Sequence, residues 1–204
     1  MGLAELDLLD YKRRVFALYA RVRAKRDPAR AFAAWVAERD ELFRTHPQSA
    51  LPPQRRAAFG GLSYFEHDPA GRVLADVEPA ERRRYEVPSS DGATMAFERI
   101  AVARFALAGA ECALEVYWLS AYGGGLFVPF ADATAGDETY GAGRYLLDTV
   151  KGADLGTAGG RLVLDFNLAY NPSCSYDPRW SCPLAPPPNR LAIPVRMGER
   201  HVTA

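Results

Sequence analysis

The sequence predicts a protein of the α+β class, in which helices at the amino terminus precede an antiparallel β body. Two segments near the start repeat apolar residues every three or four positions, the period of a helix that buries one face. After Gly61 the chain changes to short apolar runs separated by turn residues, which is typical of consecutive strands. Because these strands do not alternate with helices, an antiparallel barrel or sandwich is favoured over a parallel sheet.

Length and charge limit the classes of function. The chain has 204 residues, enough for one domain, with a helical segment over 1–59 packed on a β body over 60–204. Lys+Arg and Asp+Glu each total 25, so no net basic field exists and nucleic acid is not an expected partner. No apolar run approaches the roughly 20 residues that span a bilayer. The first residues also lack the basic region followed by an apolar region that is typical of a signal peptide. We therefore expect a cytoplasmic protein with no membrane partner; the sequence carries no signal for an oligomeric state.

The helical segment divides at Asp27 and Pro28. These two residue types suit an N-cap and the first turn after it, and Pro47 disfavours helix at His46, so a second helix is predicted from Asp27 to about Thr45. Residues at helical spacing in the first helix are Leu8, Tyr11, Val15, Leu18 and Val22. In the second helix they are Phe32, Trp35, Val36, Arg39, Leu42 and Phe43.

The β body begins with short segments and a hairpin. Turn residues separate three strand candidates, at 62–65, 73–77 and 85–87. Two longer strands, 97–107 and 111–119, are joined by Ala108-Gly109-Ala110, which suits a tight hairpin.

Two further strands are predicted towards the carboxyl terminus. The strictest alternation runs over 161–170, where one face is entirely apolar and the other carries Asp165 and Asn167. After a stiff proline run at 183–188, the chain is expected to dock a last strand over 191–196.

A glycine-rich polar loop over 130–145 is the first candidate for a site. Its glycines allow close approach of the backbone to a ligand, and Arg144 could clamp a carboxylate or phosphate through paired hydrogen bonds. The alternative is a loop whose carboxylates cap turns and pair with the arginine. Candidate ligand-binding residues here are Asp132, Thr134, Glu138, Tyr140 and Arg144.

The segment over 165–171 is the second candidate. Alternation places Asp165, Asn167 and Asn171 on one face of the predicted strand. If that face points inward, the polar groups converge in a small-molecule pocket. If it points outward, they form the wet side of a sheet.

Cys174 and Cys182 are separated by seven residues in a loop rich in proline and serine. That spacing is wider than in most structural zinc sites, and no histidine is adjacent in sequence to activate a nucleophilic cysteine. A disulfide is geometrically possible but disfavoured in a reducing compartment. Two packed free thiols are therefore the default interpretation, with a disulfide, a zinc site and a nucleophilic cysteine as alternatives.

Several motifs resemble the bacterial "domain of unknown function 1684" family. They are Leu-Phe-Val-Pro-Phe-x-Asp-x-Thr (126–134), Glu-Thr-Tyr-Gly-x-Gly-Arg-Tyr-Leu (138–146), Asp-Phe-Asn-x-Ala-Tyr-Asn-Pro-x-Cys (165–174) and Cys-Pro-x-x-Pro-x-x-Asn (182–189). Gly61-Leu62-x-Tyr64-Phe65 and Gly198-Glu199 resemble its remaining landmarks. The resemblance implies no activity and no site residues. Ser173 stands where the family pattern leads us to expect a bulkier residue, so we expect a more open wall there.

Three functions follow from these residues. The leading hypothesis is a small-molecule-binding domain, with no cofactor and no metal, whose polar pocket takes a small anionic ligand. The second is a hydrolase in which Glu138 or Asp165 acts as general acid or base, with a divalent metal as an option. The third is a structural domain in which the same polar residues form a buried network. Whether the protein is an enzyme is left open.

Overall fold

A computed structural model describes residues 3–120 and 124–201 of the chain. Three helices come first: α1 (Ala4–Ala24), α2 (Pro28–Thr45) and the single turn α3 (Pro53–Arg56). The predicted start of α2 is confirmed, because the Asp27 side chain accepts a hydrogen bond from the backbone N–H of Arg30 and Pro28 occupies the first turn. In the described part of the chain, no helix is both long and apolar enough to cross a bilayer.

Seven strands follow: β1 (Arg72–Pro88), β2 (Thr94–Leu107), β3 (Ala110–Leu119), β4 (Leu126–Phe130), β5 (Arg144–Asp148), β6 (Thr157–Ala158) and β7 (Arg161–Asp165). They form one antiparallel sheet in the order β5-β4-β3-β2-β1-β7-β6. The α+β class is therefore confirmed. The described strands leave the sheet open, so it is not the barrel that the sequence offered as one alternative.

The hairpin between β2 and β3 has the predicted tight turn. Leu107 pairs with Ala110, and Ala108 and Gly109 both have positive φ, at 49° and 78°. Two residues with positive φ suit the right-handed twist of the flanking strands.

Five strand candidates were predicted with the wrong extent. The segment 62–65 is not a strand, and only Tyr64 in it forms an isolated β-bridge, with Glu199. The candidates at 73–77 and 85–87 belong to the single strand β1, which continues through a register irregularity between Pro79 and Arg83. The strand predicted over 161–170 ends at Asp165, because the Asp165 side chain caps a short 3₁₀ helix over Phe166–Leu168. The segment 191–196 is not a strand, and side chains bind its backbone instead.

Two apolar clusters make up much of the core of the sheet and join it to the helices. The larger one lies on the sheet and includes Phe105, Leu114, Phe130, Leu147 and Phe166. The second joins the helices to the sheet and includes Leu18, Val22, Trp35, Val163 and Leu168. Tyr145 of β5 and Tyr170 exchange two backbone hydrogen bonds, of 2.8 and 3.1 Å. This bridge brings β5 beside the chain that follows β7, under the helices.

Candidate functional site

Arg144 and Asp132, two of the four charged residues of the predicted pocket, are buried together. Arg144 Nη2 lies 2.8 Å from Asp132 Oδ2, and each side chain is 1% exposed. Asp132 Oδ1 accepts hydrogen bonds from the N–H and hydroxyl of Thr134 and from the N–H of Val195. The Arg144 guanidinium also donates to the carbonyls of Val195, Met197 and Glu199. These contacts bind the carboxyl-terminal segment to the loop.

Glu138 and Tyr140 lie elsewhere on the same loop. Glu138 forms an ion pair of 2.8 Å with Arg196, whose side chain is mostly exposed. The Tyr140 hydroxyl lies 3.8 Å from the Sγ atom of Cys174, and burial raises the pKa of Tyr140 to about 12.

Asp165 and Asn167 form a separate cluster. Asp165 Oδ1 accepts hydrogen bonds from the backbone N–H and the side-chain amide of Asn167. The Asn167 amide also bonds both the N–H and the carbonyl of Asp68, at 2.9 and 2.8 Å. The pair therefore ties the short 3₁₀ helix after β7 to the loop before β1. Glu138 and Asp165 have different partners and do not form a carboxylate pair.

Of the eight predicted site residues, Asn171 lines a cavity between the helices and the sheet, which we call the helix–sheet cavity. Its volume is about 250 Å³. Three cationic residues line it, Lys12, Arg39 and Lys151, and its described lining contains no aspartate or glutamate. The aromatic residues of its wall are Tyr11, Phe43, Tyr145, Tyr170 and Trp180. For the other seven residues, a role in ligand binding stays a prediction.

Arg39 is fixed by aromatic rings. Its guanidinium carbon lies 4.7 Å from the ring centre of Trp35, 5.4 Å from that of Phe43 and 5.0 Å from that of Tyr170. Cations are attracted to the faces of aromatic rings, and more strongly where water is excluded. Nε donates to the Tyr64 hydroxyl at 3.0 Å. The arginine is thus held in one position at the cavity.

Glu199 is the carboxylate that pairs with Arg39. Arg39 Nη2 lies 2.8 Å from Glu199 Oε2, which also accepts the N–H of Asn171; Oε1 accepts the hydroxyl of Tyr176. Burial raises the pKa of Glu199 to about 7, although Arg39 opposes the shift. Glu199 therefore changes its charge near neutral pH.

A second cavity, of about 490 Å³, shares Asn171 with the helix–sheet cavity and is also lined by Glu199. Two polar atoms at its wall are buried without a hydrogen-bond partner in the described chain, Asn171 Oδ1 and Ser175 Oγ. A buried acceptor without a partner is uncommon in proteins. Asn171 therefore has bonding capacity left for a water molecule or a ligand.

Four residues around the helix–sheet cavity were not predicted as site residues, and the sequence contained a signal for two of them, Arg39 and Glu199. Arg39 occupies a position in the apolar stripe of α2, where a charge has to find a buried partner. Glu199 closes the family motif at Gly198-Glu199. Lys12 and Lys151 carried no such signal, because each resembles an ordinary surface lysine.

A sequence family matches most of this chain. The family is described as "Protein of unknown function (DUF1684)", and the match covers residues 57–200. The chain belongs to this family. It is also similar to the solution NMR structure of an uncharacterised protein of Haloarcula marismortui, at 39% identity and a TM-score of 0.58, over 82% of this chain and 91% of the other. No curated protein matches the chain.

The DUF1684 match begins after α2. It therefore includes the sheet side of the helix–sheet cavity, with Tyr145 and Tyr170, and also Glu199, the partner of Arg39; Lys12 and Arg39 precede it. The cavity is built from both parts of the chain.

No cluster of three or more His, Cys, Asp or Glu side chains in residues 3–120 and 124–201 is arranged to hold a metal ion.

Proposed function

We propose that this DUF1684 protein binds a small anionic ligand with an aromatic or apolar body in the helix–sheet cavity. The observation that carries the proposal is the lining: three cations and five aromatic rings, with no carboxylate among the described lining residues. Ligand pockets are mostly apolar and carry a few polar groups that orient the ligand. The lining of this cavity has that composition.

The size of the cavity limits the ligand. Its volume of about 250 Å³ lies below the ~300–1,000 Å³ of pockets for drug-sized molecules. A ligand with a single ring or a short chain and one acidic group suits this space. We expect the ring or chain to pack on Tyr145, which is buried on the sheet, and on Tyr170, which is partly buried against the helices.

The charges of the lining favour an anion. Arg39 uses Nε and Nη2 for Tyr64 and Glu199, and within the described chain its Nη1 donates to no protein group. Lys12 forms no ion pair in that same part of the chain, and Lys151 Nζ lies 3.7 Å from Asp148 Oδ2. An anion placed among these cations would gain more Coulomb energy than it does in water, because the walls have a low dielectric constant.

The test compares three molecules of similar shape: benzoate, phenyl phosphate and the neutral benzyl alcohol. Binding is measured by isothermal titration calorimetry at low and at high salt. We expect the two anions to bind and benzyl alcohol to bind at least tenfold more weakly, with the difference reduced by salt. Equal binding of the neutral molecule would contradict the proposal.

Two variants locate the site. Lys12→Gln together with Lys151→Gln removes two charges of the cavity that contribute little to the free energy of unfolding. We therefore expect weaker anion binding at an unchanged melting temperature. Lys25→Gln is the matched control, since Lys25 is an exposed lysine that follows α1. If the double variant binds benzoate and phenyl phosphate as tightly as the control, the ligand does not occupy this cavity.

Glu138 and Asp165, the candidate general acid or base of a hydrolase, are both engaged with protein partners, so their geometry does not favour the hydrolase hypothesis. A cytoplasmic location remains an expectation from the sequence, and it is consistent with a ligand drawn from small metabolites.

A further inference from the structure

Cys174 and Cys182 lie against each other at one end of the helix–sheet cavity. The backbone N–H of Cys174 points to the Sγ atom of Cys182 at an N-to-S distance of 3.3 Å. Cys174 sits in a short 3₁₀ helix, Ser173–Ser175, and Cys182 follows Trp180. Both cysteines are free thiols. Because its two end residues are in contact, the nine-residue segment from Cys174 to Cys182 forms a closed loop without a disulfide.

Ser90 fixes the position of Cys182. Its hydroxyl donates to the carbonyl of Trp180 at 2.7 Å and accepts the N–H of Cys182 at 3.1 Å. On the other side, the Tyr140 hydroxyl lies 3.8 Å from Cys174 Sγ. Cys174 thus has hydrogen-bond donors around its sulfur, and Cys182 is held within reach of it.

These donors divide the two thiols into an ionised and a neutral one. The hydrogen bond from the Cys182 thiol, with another from Tyr140, lowers the pKa of Cys174 to about 6. The same hydrogen bond and burial raise the pKa of Cys182 above its ordinary value. Thiolates, not thiols, are nucleophiles, so Cys174 is the reactive sulfur at neutral pH.

A small solute can reach this pair. Cys174 is only partly buried, and Ser173 and Cys182 line the helix–sheet cavity. Cys112, by contrast, is buried on β3, and burial raises its pKa. The three cysteines therefore differ in both access and ionisation.

We propose that Cys174 and Cys182 are a redox-active thiol pair that reduces hydrogen peroxide and closes to a reversible disulfide. The Cys174 thiolate attacks one peroxide oxygen and breaks the O–O bond; the sulfur becomes a sulfenic acid, and the leaving hydroxide takes a proton to become water. Cys182 then attacks the Cys174 sulfur, and its thiol proton leaves with the expelled hydroxide as a second water. Two thiols are oxidised and one peroxide is reduced. A small external dithiol reopens the disulfide.

The test treats the full chain with one equivalent of hydrogen peroxide and counts thiols after denaturation. We expect the free thiols to fall from three to one, with a mass loss of two hydrogen atoms. Peptide mapping should place the bond between Cys174 and Cys182, and dithiothreitol should restore all thiols. Three intact thiols, a disulfide between chains or equal loss of Cys112 would overturn the proposal.

Single variants separate the roles of the two sulfurs. Cys182→Ser should stop at a sulfenic acid on Cys174, which dimedone traps, and Cys174→Ser should lose thiols at least tenfold more slowly. Cys112→Ser is the matched control and should react like the native protein. Circular dichroism checks that each variant is folded. If Cys174→Ser reacts at the native rate, Cys174 is not the nucleophile.

Discussion

Two opposite charges, Arg144 and Asp132, are buried where the polar loop meets the carboxyl-terminal segment. Between them they bond three residues of that segment and one of the loop. Burial lowers the pKa of Arg144, and Asp132 opposes this shift. Each charge depends on the other, because an isolated buried ion is far less stable than one in water.

Replacing Arg144 should therefore cost stability first. Arg144→Ala leaves the Asp132 carboxylate buried without its cation, and we expect a loss of about 3–5 kcal/mol in the free energy of unfolding. Urea denaturation measures this loss. Arg144→Lys should recover only part of it, since one ammonium group cannot reproduce the planar fork of donors.

Arg196→Ala is the control for that experiment. Arg196 pairs with Glu138 at the surface, where ion pairs contribute little, so its variant should unfold near the native midpoint. Loss of anion binding by Arg144→Ala at native stability would instead support the sequence-based hypothesis that Arg144 binds a ligand.

Single residues show what sequence reasoning could and could not see here. The type of residue 144 predicts several hydrogen bonds to oxygen acceptors. One acceptor, Asp132, lies 12 positions away in the same loop, but the three carbonyl acceptors lie 51 to 55 positions away along the chain. Nothing local indicates whether such acceptors belong to a ligand or to the protein. Arg39 is the converse case, because its place in an apolar stripe indicated burial without revealing that its partner is Glu199.

At the scale of elements, the glycines of the polar loop serve different purposes. Gly136 and Gly143 both have a φ of +94°. A Cβ at Gly143 would lie 2.5 Å from the carbonyl oxygen of Phe130 and 2.8 Å from Cβ of Ala185, whereas one at Gly136 would have no neighbour within 4 Å. Gly143 therefore allows the loop to approach β4 closely, and Gly136 only allows the turn.

This pair separates backbone strain from close packing. Gly136→Ala should destabilise by roughly 1–2 kcal/mol, the cost of positive φ in a residue with a side chain. Gly143→Ala carries the same strain and a steric clash, so we expect a further loss on the order of 1–3 kcal/mol. Thermal and urea unfolding of both variants measure the difference. Equal losses would mean that β4 yields to the added methyl group.

Elements with local causes were predictable. The cap of α2 and the turn at Ala108-Gly109 depend on residue types next to them, and both predictions are confirmed. The carboxyl-terminal end of β7 and the absence of a strand over 191–196 depend on side chains that bond to backbone groups. Asp165 caps the 3₁₀ helix that follows β7. Asp132 accepts the N–H of Val195, which a neighbouring strand would otherwise bind. The alternation of apolar residues does not show when a side chain, and not a neighbouring strand, bonds to a backbone group.

At the scale of the molecule, Arg39 and Glu199 join the helices to the carboxyl-terminal end of the chain. The pKa of Glu199 is about 7 in the folded protein, above its ordinary 4.5. The folded protein therefore holds this proton more tightly than the unfolded chain. The resulting stability is fully present below the unfolded pKa and is lost as pH rises through about 7.

We accordingly expect Glu199→Gln to be less sensitive to pH than the native protein. Between about pH 5 and pH 7, the urea midpoint of the native protein should fall relative to that of the variant. Cys174, whose pKa is lowered to about 6, favours folding as pH rises, but it is present in both proteins and cancels in the comparison. Parallel curves would show that the proton is not on Glu199; Glu138→Gln should leave the native slope unchanged.

The class of the whole fold was visible in the order of helical and alternating patterns, but the arrangement of its strands was not. Pairing of β7 with β1 joins segments about 90 positions apart, and no local feature of either strand specifies that neighbour. The helix–sheet cavity depends on this arrangement, since it opens between α1, α2 and the bridge of Tyr145 with Tyr170. A pocket between distant segments is beyond what periodicity predicts.

The ion pair of Arg39 and Glu199 also constrains how such sequences can diverge. The carboxylate lies within the stretch shared by the family, and the guanidinium lies in a helix outside it. A neutral residue at either position leaves the other charge buried alone, so the two have to change together. A helical hairpin exchanged between two family members would thus be accepted only when its arginine and the recipient's acid still match.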